Sequence, residues 1–209
     1  MSTIGRKPLK YILLDLPSDH EIEGDLATEC DVLYAMLANH ELAAVTKRVR
    51  IGRPETLTHM RLSTRRPEVV HIAGHATVDG LWMLGEVLPW VGVAKSLAAC
   101  VTTLKSGQER IVNFSCCYSE KAARTCRRRL APFFSGAYHF LEPNIAYAKA
   151  IVTWTMFFHQ RPTTANHREI VERITTFLGG EVLRYMPYRR EVLPVDESVA
   201  ELNRLARRT

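Results

Sequence analysis

Alternation between short apolar runs and segments of helical spacing constrains the fold of this chain more than any other sequence feature. The apolar runs have the length and composition of buried strands, and they lie at 10–16, 42–51, 68–76, 110–114 and 137–141. Segments with helical spacing lie at 27–40, from Pro54 onwards, at 90–107, in the basic stretch after 114, and at 144–160. Because strands joined by crossover helices pair in parallel, this pattern predicts an α/β fold, a mostly parallel sheet with helices on both faces.

Length and composition predict one globular domain. The chain has 209 residues, of which 46% are hydrophobic and 24% charged, so it is long enough to bury a substantial core. After Gly179 and Gly180 the sequence becomes more polar. We therefore predict a domain over 1–180 and a polar C-terminal extension over 181–209 that packs on the domain or on a partner.

The sequence has no apolar run of the ~18 residues that a membrane span needs, and its N-terminus lacks the apolar stretch of a secretory signal. The five cysteines are an odd number in a chain that needs no disulfide framework, which favours reduced thiols. We therefore expect a cytoplasmic protein without a membrane partner.

Basic residues exceed acidic ones, with a formal net charge of +6, and Arg124, Arg127, Arg128 and Arg129 form the densest basic cluster. Aromatic residues that would stack on bases are not interleaved with these arginines. A solvated helix face therefore explains the cluster better than a nucleic-acid interface, and nucleic acid is not expected as a partner.

Two predicted strands end in residue types that carry nucleophilic chemistry. The strand at 68–76 ends in "HIAGHA", which places His75 at its end, and the strand at 110–114 runs into "SCCYS", which contains Cys116 and Cys117. Reactive groups of an open parallel sheet gather beyond the carboxyl ends of its strands. If these two strands are neighbours, an imidazole and a thiol meet at one edge of the sheet.

These two segments resemble the caspase-like cysteine peptidases, and most closely the bacterial CHAT type. That family carries a strand with "H-x-x-G-H-G", a short "L-x-L" segment, a helix, and an apolar strand that ends in "S-A-C-x-S". Here "VVHIAGHA", "LWML" and "IVNFSCCYS" occupy those places, and "FFSGAYHFLEP" is similar to the stretch that leads into the next strand. The resemblance covers roughly residues 60 to 160 and implies a caspase-like three-layer sandwich.

Laid on this motif, Ser115 and Ser119 fall on its two serines, and Cys117 falls on the nucleophile. Cys116 takes the place of a small buried residue, a role that free cysteine performs well. Side chains alternate along a strand, so we expect the two thiols to face opposite sides. The resemblance thus implies that Cys117 is the nucleophile.

The resemblance also assigns His75 as the catalytic base, and it places the oxyanion hole at the backbone N–H groups of Cys117 and Ala76. The family has Gly at the position of Ala76, and Gly reaches backbone conformations that Ala does not. At this position of the oxyanion hole the chain therefore departs from the family's pattern.

A structural zinc site is the alternative use of these histidines and cysteines. His71 and His75 are four residues apart on one predicted strand, about 13 Å at ~3.3 Å per residue, which is too far to share an ion. We therefore predict no metal and no cofactor, and we interpret His71, inside the apolar run, as a packing residue.

The function that these residues imply is that of a cysteine endopeptidase with a Cys–His dyad that cleaves proteins or peptides. As the acids nearest the expected cleft, Asp79 and Glu142 are candidates for a substrate pocket. The resemblance further implies a regulated effector of a bacterial defence or cell-death pathway, switched on by an activating peptidase or by release of an inhibitory protein. The alternative is a catalytically inactive caspase-like scaffold that binds a protein partner.

Overall fold

The computed structural model of the chain describes residues 9–16, 25–59, 67–83, 85–101, 109–130, 135–143, 145–180 and 182–187. Its strands are β1 (Tyr11–Leu16), β2 (Thr46–Arg50), β3 (Val69–Ala76), β4 (Gly80–Met83), β5 (Glu86–Pro89), β6 (Glu109–Ser115), β7 (Ser135–Leu141) and β8 (Leu183–Pro187). Its α-helices are α1 (Asp25–Asn39), α2 (Pro54–His59), α3 (Trp90–Val101), α4 (Ser119–Leu130), α5 (Tyr147–His159) and α6 (His167–Leu178).

The main sheet has the strand order β2-β1-β3-β6-β7-β8. Its first five strands run parallel, and β8 pairs antiparallel to β7 at the edge. Two further strands form a hairpin, in which β4 pairs antiparallel to the end of β3 and β5 pairs with β4. The prediction of an α/β fold with a mostly parallel sheet between helices is confirmed.

The period of two along the strands divides the core between the two faces of the sheet. In β3, Val70 and Ile72 belong to one buried cluster, whereas Val69 and Ala73 belong to the other. We call the first the α3–α4 face, because residues of α2, α3 and α4 cover it. We call the second the α1–α5 face, because residues of α1, α5 and α6 cover it.

The region beyond 180 begins inside the sheet. Leu183–Pro187 forms the edge strand β8, so the first part of the predicted polar extension is paired with β7. Residues 188–209 of that predicted extension lie outside the described residues. The sequence pattern also did not predict α6, whose buried Ile170, Val171 and Ile174 pack on the α1–α5 face.

A tight turn between β3 and β4 shapes the sheet edge beyond His75. The Thr77 N–H donates to the Gly80 carbonyl at 2.8 Å, and the Trp90 indole N–H donates to the Val78 carbonyl at 3.0 Å. Only glycine fits at position 80, because a Cβ there would collide with the backbone carbonyl of Leu88. The hairpin is therefore held tightly against the end of β3.

None of the helices in the described part of the chain combines the length and the apolar composition needed to cross a bilayer.

Candidate active site

His75 and Cys117 lie at the same level of two neighbouring strands. The last paired residues of β3 and β6 are Ala73 and Ser115, so His75 and Cys117 each lie two residues beyond that pair. Neighbouring strands are about 4.8 Å apart, and both side chains are exposed. The sheet therefore brings the imidazole and the thiol to one solvent-accessible edge.

The two adjacent cysteines occupy different environments. Cys116 packs against the buried cluster of the α3–α4 face together with its neighbour on the strand, Phe114, whereas Cys117 is exposed. Burial raises the pKa of the Cys116 thiol above its ordinary value, and the nearby Cys117 and Glu29 raise it further. Cys116 therefore stays protonated at neutral pH and has the packing role expected of it.

Backbone direction in β3 determines where the amide of Ala76 points. The carbonyl of Glu68 accepts from the Ile111 N–H of β6, and backbone groups of alternate residues in a strand point to the same side. Counting in steps of two from Glu68 reaches Ala76, whose N–H therefore points to the β6 side, where Cys117 lies. The next residue, Thr77, points to the opposite side and donates within the hairpin.

Ala76 is part of a regular strand, and its φ is not among the positive values that favour glycine. The extended conformation is open to any residue. The difference between Ala76 and the glycine of the resembled family therefore introduces no backbone strain here.

A strained turn follows Cys117. Tyr118 has φ of 56°, an uncommon value for an aromatic residue, and its carbonyl accepts the first helical hydrogen bonds of α4 from Lys121 at 2.9 Å and Ala122 at 3.2 Å. The N-terminus of α4 carries partial positive charge. Negative charge that develops beside Cys117 therefore lies close to a stabilising helix end.

The second motif serine anchors this turn to the neighbouring strand. The buried Ser119 hydroxyl lies 3.2 Å from both the backbone N–H and the carbonyl of Leu141, at the end of β7. Its partners are backbone groups, so Ser119 fixes the start of α4.

A buried polar cluster, which the sequence pattern did not predict, lies beneath the strand ends that lead to His75 and Cys117. The carboxylate of Glu29 on α1 contacts His71 Nε2 at 2.7 Å through Oε1 and accepts from the Ser115 hydroxyl at 2.8 Å through Oε2. The His71 ring packs edge-on against Trp154 and Phe158. His71 is buried as expected, with a carboxylate as its hydrogen-bond partner.

A second buried chain of polar groups crosses the same face. His139 Nδ1 lies 2.9 Å from Asn113 Oδ1, and its Nε2 lies 3.1 Å from His167 Nδ1. Burial lowers the pKa of His139 well below its ordinary value, and the neighbouring His167 lowers it further. Burial, and then Arg168, lower the pKa of His167 to about 4, so both rings are neutral at neutral pH.

The two acids considered for a substrate pocket are both on the surface. Asp79 is exposed in the β3–β4 turn, where its N–H donates to the Thr77 hydroxyl at 3.2 Å. Glu142 is exposed at the end of β7 and forms an ion pair with Arg184 at 3.4 Å. Glu142 therefore has a basic partner on β8 already.

The basic cluster of four arginines lies on α4, so the basic stretch is helical as predicted. Arg127, Arg128 and Arg129 occupy the last turn of that helix, where cations oppose the negative end of the helix dipole. Arg124 is paired with Glu120 one turn earlier.

Within the described ranges, no group of three or more His, Cys, Asp or Glu side chains is placed to hold a metal ion. No model of a known protein family matches the sequence, and a comparison with curated proteins gives no match either.

Proposed function

We propose that this chain is a cysteine endopeptidase in which Cys117 is the nucleophile and His75 the general base. The observation that carries the proposal is the register of β3 and β6, which sets both residues two positions beyond the Ala73–Ser115 pair. An exposed thiol and an exposed imidazole at neighbouring strand ends support a nucleophile and base of the kind that thiol-based acyl transfer uses.

The proposed reaction hydrolyses a peptide bond in two stages. His75 takes the proton of the Cys117 thiol, and the sulfur attacks the carbonyl carbon. The resulting oxyanion accepts hydrogen bonds from the backbone N–H groups of Ala76 and Cys117. The C–N bond then breaks, and His75 gives its proton to the leaving amine. Water, deprotonated by His75, hydrolyses the thioester and regenerates the free thiol.

The order of elements between the two residues supports a caspase-like arrangement of this peptidase. His75 ends a strand, the β4–β5 hairpin includes Leu81 of the "LWML" segment, α3 follows, and Cys117 ends the next core strand. This order matches the one that the sequence resemblance implies. The mixed sheet between helices is also compatible with a three-layer sandwich.

The proposed substrate is a protein or peptide, and the proposed setting is a regulated cytoplasmic pathway of bacterial defence or cell death. An activating peptidase or the release of an inhibitory protein would switch the enzyme on. Of the two acids, Asp79 is exposed near the edge that bears His75, and we favour it for a substrate contact because Glu142 is already paired with Arg184.

Labelling with a thiol-reactive peptide tests the proposal. We expect an adduct on Cys117 at low reagent excess, and we expect the labelling rate to fall when His75 is replaced by Ala. Cys116→Ala serves as the matched control and keeps the wild-type rate. Equal labelling of all accessible cysteines, unchanged by His75→Ala, would instead support the inactive scaffold that binds a protein partner.

A further inference from the structure

A single buried carboxylate connects the two strands that carry His75 and Cys117. Glu29 and His71 have side chains that are 0% exposed, and Ser115 is 3% exposed. One oxygen of Glu29 contacts His71 on β3, and the other accepts from Ser115 on β6. The carboxylate therefore bridges β3 and β6 from the helix above them.

This bridge lies directly under the dyad in the register of the strands. Ser115 is the last residue of β6, two residues before Cys117, and His71 is four residues before His75 on the same side of β3. A shift of either hydrogen-bonded residue is transmitted along a strand of only a few residues to the reacting side chain. The bridge is thus placed to set the separation of the imidazole and the sulfur.

The helix that carries Glu29 is packed into the core. Leu33 and Leu37 follow Glu29 at one-turn intervals on α1, and both are buried in the cluster that contains Trp154 and Phe158 of α5. The same two aromatic rings pack edge-on against His71 at centroid distances of 4.9 and 5.4 Å. Glu29 and His71 are therefore held by packing as well as by the hydrogen bond between them.

A buried carboxylate bridge contributes little net stability to a core. Removing a carboxylate from water costs several kcal/mol, and apolar side chains of similar volume often stabilise a core equally well. The His71 Nδ1 atom, moreover, is buried without a hydrogen-bond partner among the described residues. Polar groups that break the rules of an apolar core concentrate at functional sites.

We propose that Glu29 is a positioning residue that acts through Ser115 and His71 to hold Cys117 and His75 in reacting geometry. This role rests on the proposed peptidase function. A misplacement of about 1 Å in an active site can lower the rate about 100-fold, and none of the three bridge residues is exposed to contact the substrate. Loss of the bridge therefore lowers kcat and leaves KM nearly unchanged.

Kinetics of variants that keep the volume of the core test this role. Glu29→Gln keeps the shape of the side chain and removes its charge, and Ser115→Ala cuts only the arm towards Cys117. Turnover is measured with a fluorogenic peptide library and expressed per active site, titrated with an irreversible thiol-directed inhibitor. We expect kcat to fall roughly 10- to 100-fold in each variant. In the double variant we expect no further loss beyond that of the more damaging single change, because both act through one contact.

His167→Gln is the matched control. It alters another buried histidine on the same face, hydrogen-bonded to His139 rather than to the bridge, and it should lower stability while leaving kcat per active site unchanged. Wild-type kcat in Glu29→Gln or in Ser115→Ala, or an equal loss in His167→Gln, would overturn the positioning role. If Glu29→Gln fails to fold, Ser115→Ala decides the question.

The two proposals fail in different ways. Cleavage that needs Cys117 and His75 but not Glu29 or Ser115 overturns only the positioning role. If cleavage survives Cys117→Ala, or if Cys117 shows no His75-dependent labelling by a thiol-reactive peptide, the peptidase function is wrong. In that case the alkylation rate of Cys117 by iodoacetamide decides the bridge: we expect it to change at least several-fold in Glu29→Gln, and an unchanged rate refutes a link between Glu29 and Cys117.

Discussion

The α3–α4 face of the sheet is closed by apolar side chains such as Ile72, Val112 and Phe114, whereas the α1–α5 face encloses charged and polar groups. On the second face lie three histidines that are buried in the described part of the chain, His71, His139 and His167, and they pack among aromatic rings. The buried Asp15 on this face is paired with Arg48 at 2.9 Å.

This difference separates two requirements of the fold, a stable core and an accurately placed candidate site. Apolar side chains stabilise the fold simply by being buried, whereas buried polar groups stabilise it only when each one is hydrogen-bonded. His75 lies two residues after Ala73 on β3, so its side chain is on the same, polar face as Ala73. Cys116 lies two residues after Phe114, and like Phe114 it packs on the apolar face. The sheet thus uses one face for stability and the other for the candidate site.

The largest contrast between the faces is expected at the two adjacent cysteines. Cys117→Ala should reduce peptide cleavage to background, because it removes the proposed nucleophile. Cys116→Ala should keep most of the activity and cost about 1 kcal/mol of stability, since it deletes one partly buried sulfur. Cleavage assays and urea unfolding of both variants measure this. Full activity of Cys117→Ala beside a dead Cys116→Ala would shift the assigned register by one residue.

Truncation on the apolar face should cost more stability than truncation on the polar face. Phe114→Ala opens a cavity in the α3–α4 face and should cost about 3–5 kcal/mol. Ser115→Ala, one residue further, leaves one oxygen of Glu29 without its donor and should cost about 1–3 kcal/mol. Equilibrium unfolding in urea gives both values. A larger loss for Ser115→Ala would reverse the roles assigned to the two faces.

Removing the backbone donor at position 76 tests the oxyanion hole separately from the side chains. Ala76→Pro lacks the N–H that points towards β6, and we expect kcat to fall about 100-fold. Ala76→Gly keeps that N–H and should retain most of the turnover. Steady-state kinetics with the same peptide compare the two variants. If the proline variant turned over as fast as the glycine variant, this amide would have no part in catalysis.

The polar face should also make the protein sensitive to acid. Histidines titrate near pH 6.5 when unfolded, whereas the pKa of His167 is lowered to about 4 in the folded protein, and that of His139 is also lowered. Between these values the unfolded chain binds more protons, so stability should fall as the pH drops from about 6.5 towards 4.

His167→Gln removes one of these groups and should flatten that decrease. The free energy of unfolding of both proteins, measured by urea denaturation across this range, checks the effect. Parallel curves for the wild type and the variant would assign the acid sensitivity to other groups, such as the carboxylates.

The sequence predicted the core strands well because buried parallel strands are near-continuous apolar runs. It did not predict β8, whose "LRYMP" carries an arginine and lies in a polar stretch, nor α6, where Ile170, Val171 and Ile174 are spaced among charged residues. The alternation of β8 and the one-turn spacing in α6 were the available signals. Each of these signals extends over only a few residues, and the polar residues around it hide the pattern.

The candidate dyad could be predicted because it stands at strand ends, but the Glu29 bridge could not. A glutamate in an amphipathic helix is normally solvated. The available signal was its position one turn before Leu33 and two turns before Leu37, in line with the buried stripe of α1. Its partners His71 and Ser115 come from distant parts of the chain, and only the folded sheet brings the three together.

The two strands at the ends of the main sheet, β2 and β8, have a consequence for self-association. Unpaired strand edges invite pairing with other molecules, and natural proteins discourage this with charged residues and proline. β2 has the sequence "TKRVR", with three basic residues among its five, and β8 carries Arg184 and ends at Pro187. The long charged side chains on β2 and the proline at the end of β8 therefore disfavour pairing with a second copy of the same sheet, which would otherwise continue into open-ended, amyloid-like stacks.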